Sequence, residues 1–282
     1  MKLKTDRVVF VSSNMDIQIR NIDLAQKSQE EGLDYYKILL TEQGITYRVD
    51  DVNYQAPPYS AIFLAPHQHF YVPVEQNELP KVMQILFNGD YYCIELHKHD
   101  VACNGLLFNS VYQLPHVILS TTTFAEILQL CHKMILLIGR ESKYNNAILK
   151  SYLQLILALT SDEKQKFIDQ HSYFLQLTNG DGIIFQDLVE QNYKTEKSIS
   201  FYASAMNMTE GSLSKRIKKT LHKSPSKIIQ ERTILEAKKL LHLTYKSIKE
   251  IAHELCFQDQ HYFSRYFKNR VGISPVRYRQ QV

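Results

Sequence analysis

The chain has 282 residues, 44% of them hydrophobic and 22% charged, which suits one large domain or two ordinary ones. It holds no apolar run of about eighteen residues, and no long apolar core follows its opening MKLKTDRVVFVSS, so neither a spanning helix nor a signal peptide is expected. The net charge of +4 conceals an asymmetry: residues 183–282 carry 18 Lys and Arg against 9 Asp and Glu, whereas the preceding residues carry 15 against 20.

A basic C-terminal third joined to a mildly acidic N-terminal part points to a polyanion-binding module attached to something else. Charge alone does not separate DNA from RNA or a membrane surface, and a solvated basic helix face fits it equally well. The four cysteines, Cys93, Cys103, Cys131 and Cys256, show no CxxC spacing and read as reduced thiols of a cytoplasmic protein.

From about Asp34 to Ile118 the pattern is one of short strands. YYKILL, ITYRV, AIFLAP, VMQILF and YYCIEL are rich in β-branched and aromatic residues. Turn signals separate them at Glu42-Gln43-Gly44, Asp50-Asp51, Pro57-Pro58 and Asn88-Gly89-Asp90. Such spacing predicts a small barrel or sandwich. After Ser120 the apolar residues take a helical period without proline, in TTTFAEILQLCHKMILLIGR and NNAILKSYLQLILALT. The threonines before Phe124 offer an N-cap, with Glu126 three residues beyond Thr123. These helices are more apolar than one buried face requires. That fits packing on a second subunit, or a simple hairpin within the chain. Asn179-Gly180-Asp181-Gly182 marks a boundary, after which everything reads as helix.

The basic part contains a repeat. SISFYASAMNMTEGSLSKRIKKTLHKSP (198–225) aligns with SIKEIAHELCFQDQHYFSRYFKNRVGISP (247–275), with one extra residue in the second turn. Each copy begins at a serine suited to an N-cap, Ser198 or Ser247, and restarts at Thr209 or Asp259. In the second helix of each copy, Leu213 and Ile217, or Phe263 and Phe267, lie four apart and face a core. Lys215 and Lys218, or Arg265 and Lys268, fall off that stripe. Helix, short turn and capped helix make a helix-turn-helix unit, whose second helix fits the major groove of B-DNA. The stretch SPSKIIQERTILEAKKLLHLT between the copies reads as a rigid linking helix, able to hold two recognition helices in successive grooves about 34 Å apart.

The last hundred residues resemble the AraC/XylS transcriptional regulators. The resemblance rests on ILEAKKLL, SIKEIAHEL followed by CF, YFSRYFK, Gly272-x-Ser274-Pro275 and Tyr278-Arg279. It implies two helix-turn-helix subdomains that bind promoter DNA and, through RNA polymerase, activate transcription. Residues 1–120 look like the cupin-type sensing barrel of many members. Two departures stand out. Cys256 occupies a turn position where the family usually has Gly, at a cost of about 1 kcal/mol if that turn needs positive φ. Leu213 and Ile217 replace bulkier aromatics, which predicts a less stable first unit.

The expected fold class is therefore α+β, in three regions: a cupin-like β-barrel sensor over 1–120, a helical linker and dimerisation region over 121–182, and an all-α DNA-binding domain over 183–282. Base readout is expected from Gln260, His261, Ser264 and Arg265, because Gln pairs with adenine and Arg with guanine. In the first copy it is expected from Gly211, Ser212, Ser214 and Lys215 of the corresponding turns. Lys218, Lys219, Lys223, Lys268 and Arg279 are candidate phosphate contacts. A small-molecule effector and a second copy of the chain are the remaining expected partners, with no membrane. His67 and His69, and His97 and His99, form H-x-H pairs on predicted strands, with Glu75 after the first. Cupin enzymes bind metal with such pairs, which makes a metal-dependent enzyme with a basic appendage the alternative. Here Glu75 comes later than in those enzymes and no nucleophile–base arrangement is visible, so no metal, cofactor or catalytic role is expected. Tyr35, Tyr36, Tyr47, Tyr59, Tyr71, Tyr91 and Tyr92 could line a pocket, or serve as ordinary strand residues.

Overall fold

The structure is a computed structural model that describes residues 9–11, 17–23, 35–50, 52–73, 81–89, 91–92, 106–108, 111–138, 142–178 and 180–281. It divides into two units: Met1–Ser110 with Leu114–Phe167, and Val111–Gln113 with Ile168–Val282.

The strands of the first unit are β1 (Val9–Val11), β2 (Ile17–Asp23), β3 (Tyr36–Thr41), β4 (Ile45–Val49), β5 (Val52–Ala56), β6 (Ser60–Leu64), β7 (Phe70–Tyr71), β8 (Lys81–Phe87) and β9 (His116–Ile118). They form a wide antiparallel sheet in the order β1-β2-β8-β3-β6-β9 and a smaller one in the order β5-β4-β7. Successive side chains point to opposite faces. Ile38, Leu40, Phe63, Ile85 and Phe87 enter one core cluster; Leu39, Ile62, Leu64 and Val82 enter another with Ile45, Tyr47, Tyr54 and Ala56 of the smaller sheet. Burial of both faces explains why β3, β6 and β8 read as nearly continuous apolar runs. β4 alternates buried and exposed residues, as a strand with one dry face should.

Neither sheet closes on itself among the described residues. The expected closed barrel is thus corrected to two packed sheets. Closure depends on whether edge strands far apart in the chain meet, and the local strand pattern is the same in both architectures.

The helices that follow are α1 (Thr121–Leu137) and α2 (Asn145–Thr178). Phe124, Ile127, Leu130, Cys131 and Met134 of α1, with Leu149, Leu153, Ile156 and Leu157 of α2, join the core cluster on the open face of the wide sheet. The first unit is therefore layered as helices, wide sheet, small sheet. Ser120, rather than a threonine, caps α1, accepting from the Thr123 amide at 3.1 Å. Thr123 Oγ1 donates to Glu163 of α2 at 2.7 Å, and Lys164 Nζ donates to the Leu114 carbonyl at 2.8 Å.

The H-x-H reading changes as well. His67 and His69 lie between β6 and β7 rather than on a strand, and His67 has φ 64°. Strand period therefore does not set the two rings on one face. Glu75, His97 and His99 lie outside the described residues. Among the described residues no group of three His, Cys, Asp or Glu is arranged to hold a metal. Tyr47 is fully buried, stacked on Tyr54 and bonded to His116 Nδ1 at 2.8 Å; Tyr36 stacks on Phe87.

In the second unit the chain continues as α3 (Gly180–Asn192), α4 (Ile199–Ala205), α5 (Glu210–Leu221), α6 (Pro225–Leu243), α7 (Ile248–Glu254), α8 (Gln260–Val271) and α9 (Pro275–Gln281). α3 and α5 approach closely at Gly182, where an added Cβ would stand 2.7 Å from Thr220 Cγ2. Two cores result. Phe185, Val189, Tyr202, Leu213, Ile217, Ile228 and Ile229 build the first; Ala237, Leu241, Ile251, Leu255, Phe257, Phe263, Phe267 and Tyr278 build the second. α6 contributes to both, so the linking helix is a shared wall.

Candidate nucleic-acid interface

The two copies of the repeat fold alike, down to their turns. In the first, the Asn207 amide bonds the Ser204 carbonyl at 3.0 Å and the Met208 amide bonds the Ala203 carbonyl at 2.8 Å. In the second, the Cys256 amide bonds the His253 carbonyl and the Phe257 amide bonds the Ala252 carbonyl, each at 2.9 Å. This paired pattern is a Schellman motif, which requires a left-handed residue at the turn. Asn207 and Cys256 supply it, each with φ 53°. Asn tolerates that region through local hydrogen bonding, whereas Cys has no such compensation.

The recognition helices are capped as the sequence leads one to expect. Thr209 Oγ1 accepts from the Ser212 amide at 3.2 Å. Asp259 Oδ1 accepts from His261 N at 2.7 Å and Tyr262 N at 2.8 Å. The amide of Tyr262, then that of His261, holds the Asp259 carboxyl below the usual carboxylate range. Leu213 and Ile217 of α5, and Phe263, Phe267 and Val271 of α8, are buried and fix which face looks outward.

On those outward faces, Gly211 and Lys215 of α5 are exposed and Ser212 and Ser214 half-exposed; an added Cβ at Gly211 would meet nothing within 4 Å. On α8, Gln260, His261 and Arg265 are exposed and Ser264 half-exposed. Lys218, Lys219 and Lys268 are exposed further along the same helices. All eight expected base-reading residues thus sit on the two recognition helices, with solvent-facing cations beyond them.

Two of the phosphate candidates are placed elsewhere and are corrected. Lys223 is buried; its ammonium donates to the Val111 carbonyl at 3.0 Å and to Glu231 at 2.8 Å. Arg279 donates to the Leu241 carbonyl in the last turn of α6 at 3.2 Å and to the Lys246 carbonyl of the following turn at 2.6 Å. Lys223 is thereby enclosed, whereas Arg279 stays half-exposed. Sequence reading assigned them outward because a charge near a helix end is exposed by default, and their carbonyl partners are remote or irregular in the chain. Tyr262, 47% exposed in the first turn of α8, also belongs beside the expected base readers, since it aligns with Ser212 of the first copy. The charged residues between the copies gave no such signal, among them Arg232, half-buried, bonded to Glu190 at 2.8 Å and set 3.8 Å over the centre of the Tyr193 ring.

Residues 202–281 match the family model described as "Helix-turn-helix domain". The second unit contains an AraC-type helix-turn-helix domain. The AraC-type domain brings similarity to regulators from several bacteria. The lactose operon transcription activator of Staphylococcus xylosus is 30% identical over 166 residues, 58% of this chain and 58% of that protein. The HTH-type transcriptional regulator ExsA of Pseudomonas aeruginosa is 32% identical over 109 residues, 39% of each. The chain thus spans less than two thirds of these relatives' length. Among solved structures, the C-terminal domain of the response regulator yesN from Fusobacterium nucleatum is 28% identical with a TM-score of 0.32, covering 34% of this chain and 93% of that one.

Proposed function

We propose that the chain is a sequence-specific DNA-binding transcriptional regulator of the cytoplasm, acting as an activator through RNA polymerase. The observation that carries this reading is the pair of capped helices, α5 and α8, that bury an apolar stripe and turn Lys215, Lys218 and Lys219, or Arg265 and Lys268, to solvent. A helix of this kind enters the major groove with its first turns against base edges. Arg265 is suited to pair with guanine and Gln260 with adenine, while Lys218, Lys219 and Lys268 meet phosphates. Gly211 and Ser212 bring little side chain, so the first helix approaches by its backbone and reads more loosely. The layered N-terminal unit serves as sensor for a small-molecule effector, and the chain works as a homodimer. A sensor of this kind needs an effector whose affinity differs between two states of the protein.

Selection of bound sequences from a random duplex pool tests the reading, with Arg265→Ala in parallel. A two-part motif with half-sites about ten base pairs apart is expected, degraded by the substitution at one base position. Recovery of nothing above a salt-sensitive background would overturn it.

A further inference from the structure

The two helix-turn-helix units are joined by α6 and also touch directly. The loop between α3 and α4 belongs to the first helix-turn-helix unit and carries Lys194 and Lys197. Lys197 Nζ donates to the Lys194 carbonyl at 2.8 Å and to the Leu255 carbonyl, at the C-cap of α7, at 2.7 Å. The same ammonium stands 4.7 Å over the ring of Phe257, which packs against Phe263 and Tyr266 of α8. A cation of the first unit is thereby seated on the turn that aims the second recognition helix.

Its neighbours extend the contact. Lys194 Nζ lies 3.4 Å from Glu254 of α7 and 3.8 Å from Glu236 of α6. Arg232 bonds Glu190 of α3 at 2.8 Å and Glu236 at 3.2 Å. These links are unequal. Lys194 is 39% exposed, and a pair so open to water adds little. Lys197 is half-buried, donates to the Leu255 carbonyl that the end of α7 leaves without a helical partner, and covers an aromatic face. Burial also draws its ammonium below the ordinary lysine range.

α6 by itself fixes the distance between its ends, about 28 Å for 19 residues. Each unit packs its apolar core on α6, which sets its gross placement, while the short turns at 222–224 and 244–247 leave room for small rotations about those ends. A second attachment reduces that freedom. We propose that Lys197 is a positioning residue for DNA readout: by seating the α3–α4 loop on the α7–α8 turn, it fixes the placement of the two recognition helices and hence the single half-site spacing the protein accepts. The inference rests on the DNA-binding reading above. Two linked readers bind cooperatively only when their geometry matches the spacing of the sites, and a looser joint spreads that match over more spacings.

The test is selection by the full chain from duplexes that carry both half-motifs at varied separations. The wild-type protein is expected to favour one separation over another shifted by two base pairs on the order of tenfold. Lys197→Met keeps the stem on Phe257 and removes the donors. It is expected to recover the same half-motifs with that preference reduced to about twofold, and Lys197→Arg is expected to restore it. Should Lys197→Met not melt cooperatively, Lys197→Leu, which likewise lacks donors, is read in its place with the same expectation. A folded variant that keeps the narrow spacing overturns the inference, as does one that loses both half-motifs in equal measure. A wild-type protein that recovers no half-motif at all sinks the DNA reading itself.

Discussion

His116 shows how a single environment sets a residue's chemistry. Burial, reinforced by the Lys164 ammonium, draws its imidazole from 6.5 down to about 4. The ring is therefore held neutral in the fold and bonded to the Tyr47 hydroxyl at 2.8 Å. In the unfolded chain the same ring takes up a proton near pH 6.5, so the unfolded state binds more protons between pH 6.5 and 4. The contribution to stability is complete above pH 6.5 and is lost as the pH falls toward 4, by on the order of 3 kcal/mol at most. Denaturant midpoints of the full chain across this range, read by exchange of the sheet amides, should fall accordingly. His116→Gln should flatten the slope; an unchanged slope would show that the ring charges within the fold.

At the scale of elements, the turn of each helix-turn-helix unit is where sequence and geometry are most in tension. Cys256 and Asn207 occupy the same left-handed position, and Cys256 is exposed, so only backbone strain distinguishes a replacement there. Cys256→Gly should raise the stability of the second unit by up to about 1 kcal/mol, seen as a higher melting temperature with DNA binding retained. A lower one would mean that glycine's extra freedom in the unfolded chain outweighs the strain. That position was legible in the sequence through the family resemblance, in which Gly is usual there, whereas the caps Ser198, Thr209, Ser247 and Asp259 were legible because the two copies could be laid over one another. Local patterns carry caps and stripes, since both depend on residues within four positions. The packing of α1 and α2 on the wide sheet was not legible, because helical period shows that a helix has an apolar face without showing what covers it. Nor was the source of bulk in the first unit: where Leu213 and Ile217 are small, Phe185 and Tyr202 from α3 and α4 meet at 5.6 Å and fill the core.

For the whole molecule, the charge asymmetry between the two parts matters only through the cations that reach a partner. Lys219 and Lys223 lie four residues apart and look equivalent in the sequence. In the fold Lys219 is exposed on α5, whereas the Lys223 ammonium is enclosed by the Val111 carbonyl and Glu231. Each phosphate neutralised contributes about 0.9 to the slope of log affinity against log salt on duplex DNA. Lys219→Met should therefore lower that slope by about one contact, weaken binding across all sequences alike and leave the melting temperature nearly unchanged. Lys223→Met should do the opposite: an unaltered salt slope, and a loss of about 1–3 kcal/mol in stability as buried acceptors lose their donor. Titrations of both variants at several salt concentrations, with melts alongside, separate the two roles. If Lys223→Met lowered the slope as Lys219→Met does, the enclosed ammonium would have to leave its carbonyl to meet DNA, and net charge rather than placement would govern the interface.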